Sequence, residues 1–113
     1  MRRGTVVLTP FPFTDLSGAK ARPAVVVSRT DRPGDDVILA FVSSVVSPRP
    51  LPTDLVVDPS HPHFRETGLK VPSMVKCDKL ATVQRRIILG ELGQLSANLL
   101  RELDQRLRHA LNL

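Results

Sequence analysis

The side chains able to do chemistry in this 113-residue chain fall into two groups: polar residues set in otherwise apolar runs, and histidines set in a proline-rich stretch. The first group is Arg22, just before Pro23-Ala24-Val25-Val26-Val27, Ser43, which ends Val37-Ile38-Leu39-Ala40-Phe41-Val42, and Lys76 with Asp78 in the run from Val71. A buried polar atom is hydrogen-bonded or costs about 1–3 kcal/mol, so each of these asks for a partner. On a strand, Lys76 and Asp78 share one face and Cys77 takes the other, which sets a cation beside a carboxylate. Singly, each has a plain structural reading: a surface ion pair, a strand-end hydroxyl for Ser43, a solvated loop cation for Arg22. His61-Pro62-His63 offers a second chemistry. Two imidazoles with ordinary pKa values of about 6.5 can act as base and acid in phosphodiester cleavage. The neighbouring prolines favour instead two solvent-exposed loop histidines, because catalysis needs a positioned group.

Other chemistries find less support. Three histidines, one cysteine and scattered acids show no tetrahedral metal-ligand spacing, so no metal or cofactor is expected. Cys77 lies between two polar residues and should point inward as a small hydrophobe. His109, among Arg106 and Arg108, reads as a surface helix residue. Gly18 stands alone and Gly90-Glu91-Leu92-Gly93 lacks the third glycine or the lysine of the phosphate-cradling motifs.

The elements that must position these residues are mostly strands. Thr5-Val6-Val7-Leu8 is a β-branched run closed by Pro10 and Pro12, and a long loop to Lys20 leads into Ala24–Ser28, a strand buried on both faces. The turn-rich stretch 31–36 then predicts a hairpin to Val37–Ser43. Prolines 48, 50 and 52 exclude helix or central strand there, Asp54–Asp58 is a fourth strand, and Pro59 to Pro72 is loop-like. Val71–Asp78 and Ala81–Ile88 read as two further strands, the second interrupted by Gln84-Arg85-Arg86 and ended by Gly90 and Gly93. Ser96 can cap a helix with Leu99, Leu100, Leu103, Leu107, Ala110 and Leu111 on one apolar stripe. Short strands with Gly and Pro turns and no βαβ alternation predict a mainly β fold, a small antiparallel barrel with one C-terminal α-helix packed on it.

Composition bounds the rest. The chain is 42% hydrophobic and 24% charged, without the roughly twenty apolar residues of a membrane helix, which predicts one domain over residues 1–113 and no membrane partner. Its four aromatics are all Phe, so Val, Leu and Ile must fill the core. One cysteine forms no internal disulfide, and MRRGTVVLTP carries no signal-type apolar stretch, which points to the reducing cytoplasm. Sixteen Lys and Arg against eleven Asp and Glu give +5, with a pI near 10.4. In residues 91–113 Arg101, Arg106 and Arg108 cancel Glu91, Glu102 and Asp104, so the whole excess lies in residues 1–90. That excess suits a polyanion such as a nucleic acid, and equally suits plain solubility.

Taken in order, the segments resemble the MazF/PemK family of toxins from toxin–antitoxin systems. The resemblance runs through Arg3-Gly4-Thr5-Val6-Val7-Leu8, Pro10-Phe11-Pro12-Phe13-Thr14-Asp15, Lys20-Ala21-Arg22-Pro23-Ala24-Val25-Val26-Val27-Ser28 and Ile38-Leu39-Ala40-Phe41-Val42-Ser43-Ser44. It continues in Lys76-Cys77-Asp78-Lys79-Leu80-Ala81-Thr82-Val83 and in Gly90-Glu91-Leu92 leading to the final helix. It implies an SH3-like barrel, a homodimer, neutralisation by an acidic antitoxin protein, and metal-independent endoribonuclease activity on single-stranded RNA at short sequences. By the same resemblance Arg22, the Arg before Pro, and Ser43, the hydroxyl after the third strand, are catalytic. Lys76-Cys77-Asp78 stands where some relatives have Arg-Cys-Asp. Thr5 replaces the usual acidic residue, Ser43 the commoner Thr, and the first loop lacks the histidine of certain relatives.

The implied reaction is attack of a 2′-hydroxyl on its phosphodiester. The planar fork of Arg22 suits two phosphoryl oxygens, and Ser43 would orient the phosphate or the nucleophile. Asp78 would accept a proton or recognise a base, and Lys76 would add positive charge. Ser44 and Lys20 lie in the same motifs as further candidates, with Phe11 and Phe13 either stacking faces for bases or loop anchors. Two alternatives stand beside this reading: a topoisomerase-inhibiting toxin of related fold, and a catalytically silent RNA-binding or regulatory module.

Overall fold

The computed structural model describes residues 1–10, 20–31 and 33–113. Among the described residues the β-branched runs form β1 (Thr5–Pro10), β2 (Ala21–Val26), β3 (Asp36–Ser43) and β4 (Asp54–Val57), followed by β5 (Ser73–Gln84), β6 (Gly90–Gln94) and one helix, α1 (Ala97–Leu111). Short 3-10 turns at Arg65–Thr67 and Arg85–Ile87 flank β5. All pairings are antiparallel, in the order β4-β5-β3-β2-β1-β6, and the sheet curls into a half-barrel with α1 against it. The mainly β fold with a C-terminal helix is therefore as the sequence predicts, and β2 and β3 are the expected hairpin.

Alternation along the central strands divides the core in two. Val6 and Val25 join a cluster with Leu99, Leu103 and Leu107 of α1, whereas Val7, Ala24 and Val26 join Val37, Leu39 and Val83 on the other face. Both faces of β2 are thus buried, the reason it reads as a continuous apolar run. Ser96 caps α1, its Oγ accepting from the Leu99 N–H at 3.2 Å. Leu111, expected on the apolar stripe, is 53% exposed. A four-residue spacing drifts about 40° per step on a 3.6-residue helix, so by the last turn the stripe has rotated off the sheet.

Three expectations are corrected. The strands expected at Val71–Asp78 and Ala81–Ile88 are a single strand, β5, whose pairing with β3 jumps from Ala40↔Leu80 to Phe41↔Lys76. Residues 77–79 form a bulge, the Cys77 N–H turns to the Thr53 carbonyl at 3.1 Å, and the chain bends there. Residues 85–87 form a 3-10 turn instead of strand. Gly90 and Gly93, expected to end a strand, lie within β6 and pair with β1. Glycine is required at position 93 by close approach: a Cβ there would stand 2.2 Å from the Glu66 carbonyl oxygen.

Candidate active site

The site begins where a ladder stops. β2 and β3 pair as Ala24↔Phe41, Val25↔Ala40 and Val26↔Leu39, and at the Ala24 end the ladder stops because Pro23 has no N–H to extend it. Continuing the same register two residues beyond Ala24 sets Arg22 opposite Ser43. The two strand ends part there and open a cleft of about 420 Å³. Among the described residues Arg22, Ser43, Ser44, Lys70 and Ser73 are its polar lining, with Phe41, Leu69 and Leu92 among its apolar side chains, and no carboxylate lines it. Arg22 is exposed, and among the described residues its guanidinium has no carboxylate or hydrogen-bond partner. Ser43 Oγ accepts from the Val45 N–H at 3.1 Å and lies 3.3 Å from the Val45 carbonyl, a local turn that fixes the hydroxyl at the rim. A fixed planar cation facing a held hydroxyl over an apolar floor can bind a phosphodiester and seat the nucleoside beside it.

Lys76 and Asp78 do not line this cleft. The side-by-side pair expected from strand alternation is not formed: Lys76 Nζ lies 2.8 Å from Asp54 Oδ1 on β4, with side chains 16% and 1% exposed. The second Asp54 oxygen accepts from the Leu51 N–H at 2.8 Å. A buried carboxylate keeps its lysine, so the Lys76 charge is committed to holding β4 on β5. Asp78 is exposed on the bulge, and Lys20 is exposed just before β2. Phe11 and Phe13 lie outside the described residues.

The remaining candidates sit elsewhere. His61 and His63 lie between β4 and the first 3-10 turn, where His61 Nδ1 accepts from the His63 N–H at 3.1 Å and His63 Nδ1 is 3.0 Å from Glu66. Neither lines the cleft. Cys77 is fully buried, and desolvation pushes its thiol up to about 12. It is the inward hydrophobe expected, and His109 is exposed on the last turn of α1. Among the described residues no three His, Cys, Asp or Glu side chains converge as a metal site, and no helix is long and apolar enough to cross a membrane. The residues that sequence reasoning missed are Lys70 and Ser73, in the stretch between Pro59 and β5 that reads only as loop. Nothing local marks them. Their one signal is Gly68, whose φ of 73° closes the 3-10 turn and sends the chain back along the cleft.

The family profile described as PemK-like, MazF-like toxin of type II toxin–antitoxin system matches residues 2–111. Among curated proteins no relative matches the sequence. Among solved structures the chain is similar to an endoribonuclease in complex with its cognate antitoxin from Mycobacterial species, with 22% identity, 100% of this chain and 96% of that chain covered, and a TM-score of 0.75. It is also similar to the Mycobacterium tuberculosis toxin MazF-mt6, with 24% identity, 96% and 97% coverage and a TM-score of 0.75. A third is MazE-MazF from Deinococcus radiodurans, with 21% identity, 100% and 96% coverage and a TM-score of 0.68. At these identities the likeness is one of fold.

Proposed function

The chain belongs to the PemK-like, MazF-like toxins of type II toxin–antitoxin systems, and from that premise we propose that it is a metal-independent endoribonuclease cutting single-stranded RNA at short sequences. The observation that carries this reading is the juxtaposition of Arg22 and Ser43 at the point where the β2–β3 ladder ends, in a cleft that the described residues line with cations and hydroxyls and without a carboxylate. The similar structures described as endoribonucleases support it at the level of the family.

In the reaction the 2′-oxygen attacks the adjacent phosphorus, its proton is lost, and the bond to the 5′-oxygen breaks as that oxygen takes up a proton. The products end in a 2′,3′-cyclic phosphate and a 5′-hydroxyl. Arg22 binds two phosphoryl oxygens and stabilises the charge that builds on them in the transition state. Ser43, with Ser44 beside it, orients the phosphate or the attacking hydroxyl. The apolar side chains of the cleft receive the unstacked base. DNA lacks the nucleophile and is bound without being cut.

The protein acts in the cytoplasm as a homodimer and is silenced by an acidic antitoxin that covers the cleft, a partner suited to the net charge of +5. The test is incubation of the pure protein with single-stranded RNA in excess chelator, with the termini read by mass spectrometry. Cutting to cyclic phosphate ends is expected. RNA that stays intact, or activity that chelation abolishes, overturns the reading and favours a toxin acting by protein binding or a silent RNA-binding module.

A further inference from the structure

Among the described residues lining the cleft, Lys70 is the one charged group besides Arg22. Arg22 stands on β2, whereas Lys70 belongs to the 68–73 segment that brings the chain into β5. Its ammonium is exposed, with no carboxylate or hydrogen-bond partner among the described residues. Lys76, the cation that the sequence pattern puts forward, is held by buried Asp54 instead.

The backbone under Lys70 is fixed by two glycines. Gly93 of β6 packs so closely on the 3-10 turn that a Cβ would lie 2.2 Å from the Glu66 oxygen and 2.4 Å from the Thr67 carbonyl carbon. A Cβ on Gly68 would lie 2.0 Å from the Leu92 oxygen. Backbone meets backbone twice, and buried Leu69 and Ser73 pin the segment on either side of Lys70. With its backbone held in this way, Lys70 needs to order only its side chain when its ammonium meets an anion. The cleft, at about 420 Å³, falls in the range of sites that take a whole small molecule, so it has room for more than the one phosphate that Arg22 holds.

We infer that Lys70 is a second phosphate-binding residue of the cleft, engaging an RNA phosphate that neighbours the one held by Arg22. This rests on the ribonuclease reading. Its consequence is register: two cations carried on separate, packed backbone segments set which linkage of a bound strand lies against Ser43, as phosphate contacts position a chain without reading its bases.

The test uses an RNA whose cut site has been mapped with the wild-type protein, made uncleavable by 2′-deoxyribose at that nucleotide, in a series carrying one neutral methylphosphonate at each neighbouring phosphate. Dissociation constants are measured against salt for wild type, Lys70→Ala, Lys70→Gln, Lys70→Arg and, as a control for loss of a cation outside the cleft, Arg101→Ala. Circular dichroism checks that each variant is folded. One lost phosphate contact flattens the slope of log affinity against log salt by about 0.7 on a single strand, so the advantage of wild type over Lys70→Ala shrinks about 2.6-fold between 50 and 200 mM salt. Lys70→Gln repeats the loss should the alanine variant fail to fold, Lys70→Arg restores the slope, and Arg101→Ala leaves it unchanged. One methylphosphonate, at a phosphate neighbouring the cut, removes the difference between wild type and Lys70→Ala. A folded Lys70→Gln with the wild-type slope, or a difference that survives every methylphosphonate, overturns the Lys70 assignment while the ribonuclease stands. A wild-type protein that neither binds nor cuts RNA overturns both.

Discussion

At the scale of single residues, Arg22 and Ser43 differ in what they can lose. Arg22→Ala removes a fixed cation from the phosphate and should cost about 3 kcal/mol of transition-state stabilisation, roughly a hundredfold in rate. Ser43→Ala removes one neutral hydrogen bond and should cost about 0.5–1.5 kcal/mol. The double change His61→Ala with His63→Ala should alter the rate little, since neither ring lines the cleft. Single-turnover rates on one RNA, with circular dichroism for folding, check all three; a folded Arg22→Ala of near-normal rate would move the chemistry elsewhere. Lys76 makes a different prediction. Lys76→Met leaves the 1%-exposed Asp54 carboxylate without its cation and should lower stability by about 3–5 kcal/mol, read by urea unfolding. A stable Lys76→Met protein that has lost only activity would return Lys76 to the catalytic group. Cys77 gives a pH signature. Its thiol is pushed from the ordinary 9.0 up to about 12 by burial, so the folded state keeps a proton that the unfolded chain gives up. That stabilisation is complete below about pH 9 and is lost as pH rises toward 12, at about 1.4 kcal/mol per pH unit. Urea midpoints of wild type should therefore fall more steeply over that window than those of Cys77→Ala; parallel slopes would count against it.

At the scale of elements, the cleft exists because two secondary structures end or bend at particular residues. Pro23 stops the β2–β3 ladder, and the bulge at residues 77–79 divides β5, both halves of which pair with β3 while only the first also pairs with β4. The far wall depends on β6, whose Gly93 lets it lie directly on the turn ending at Gly68. Gly93→Ala forces a methyl into the Glu66 and Thr67 backbone, where no flexible side chain can give way, and should cost at least the 1–3 kcal/mol typical of overpacking, about 2 kcal/mol or more. Gly90→Ala meets nothing within 4 Å and is the control. Thermal unfolding of the pair checks this: equal melting temperatures would show that the close approach does not hold in solution.

At the scale of the whole molecule, charge is the organising quantity. The excess of +5 resides in residues 1–90, which supply β1 to β5 and most of the cleft, while residues 91–113 are balanced. RNA affinity should fall roughly linearly as log affinity against log salt, with a slope that counts phosphate contacts. An acidic antitoxin segment that orders over the cleft should compete with RNA and show the same sensitivity to Arg22→Ala and Lys70→Ala. Competition binding at two salt concentrations checks this, and an antitoxin-bound protein that cuts RNA unchanged would place the antitoxin elsewhere.

Local chemistry was enough to recognise β1 to β4, the capped helix and the inward Cys77, because β-branched runs, prolines and a four-residue leucine spacing act within a few residues of themselves. It was enough, with the order of its motifs, to single out Arg22 and Ser43. It did not show why they meet. That depends on the register across β2 and β3, a non-local pairing that no stretch of sequence expresses alone. The same limit hid the partner of Lys76, which comes from β4 and not from its own strand, and the role of Gly93, visible only when β6 lies on the Gly68 turn. Lys70 shows the division most plainly: by sequence it is one cation in a loop, and tertiary folding alone brings it to the cleft that Arg22 lines, because a charge acts through space and not along the chain.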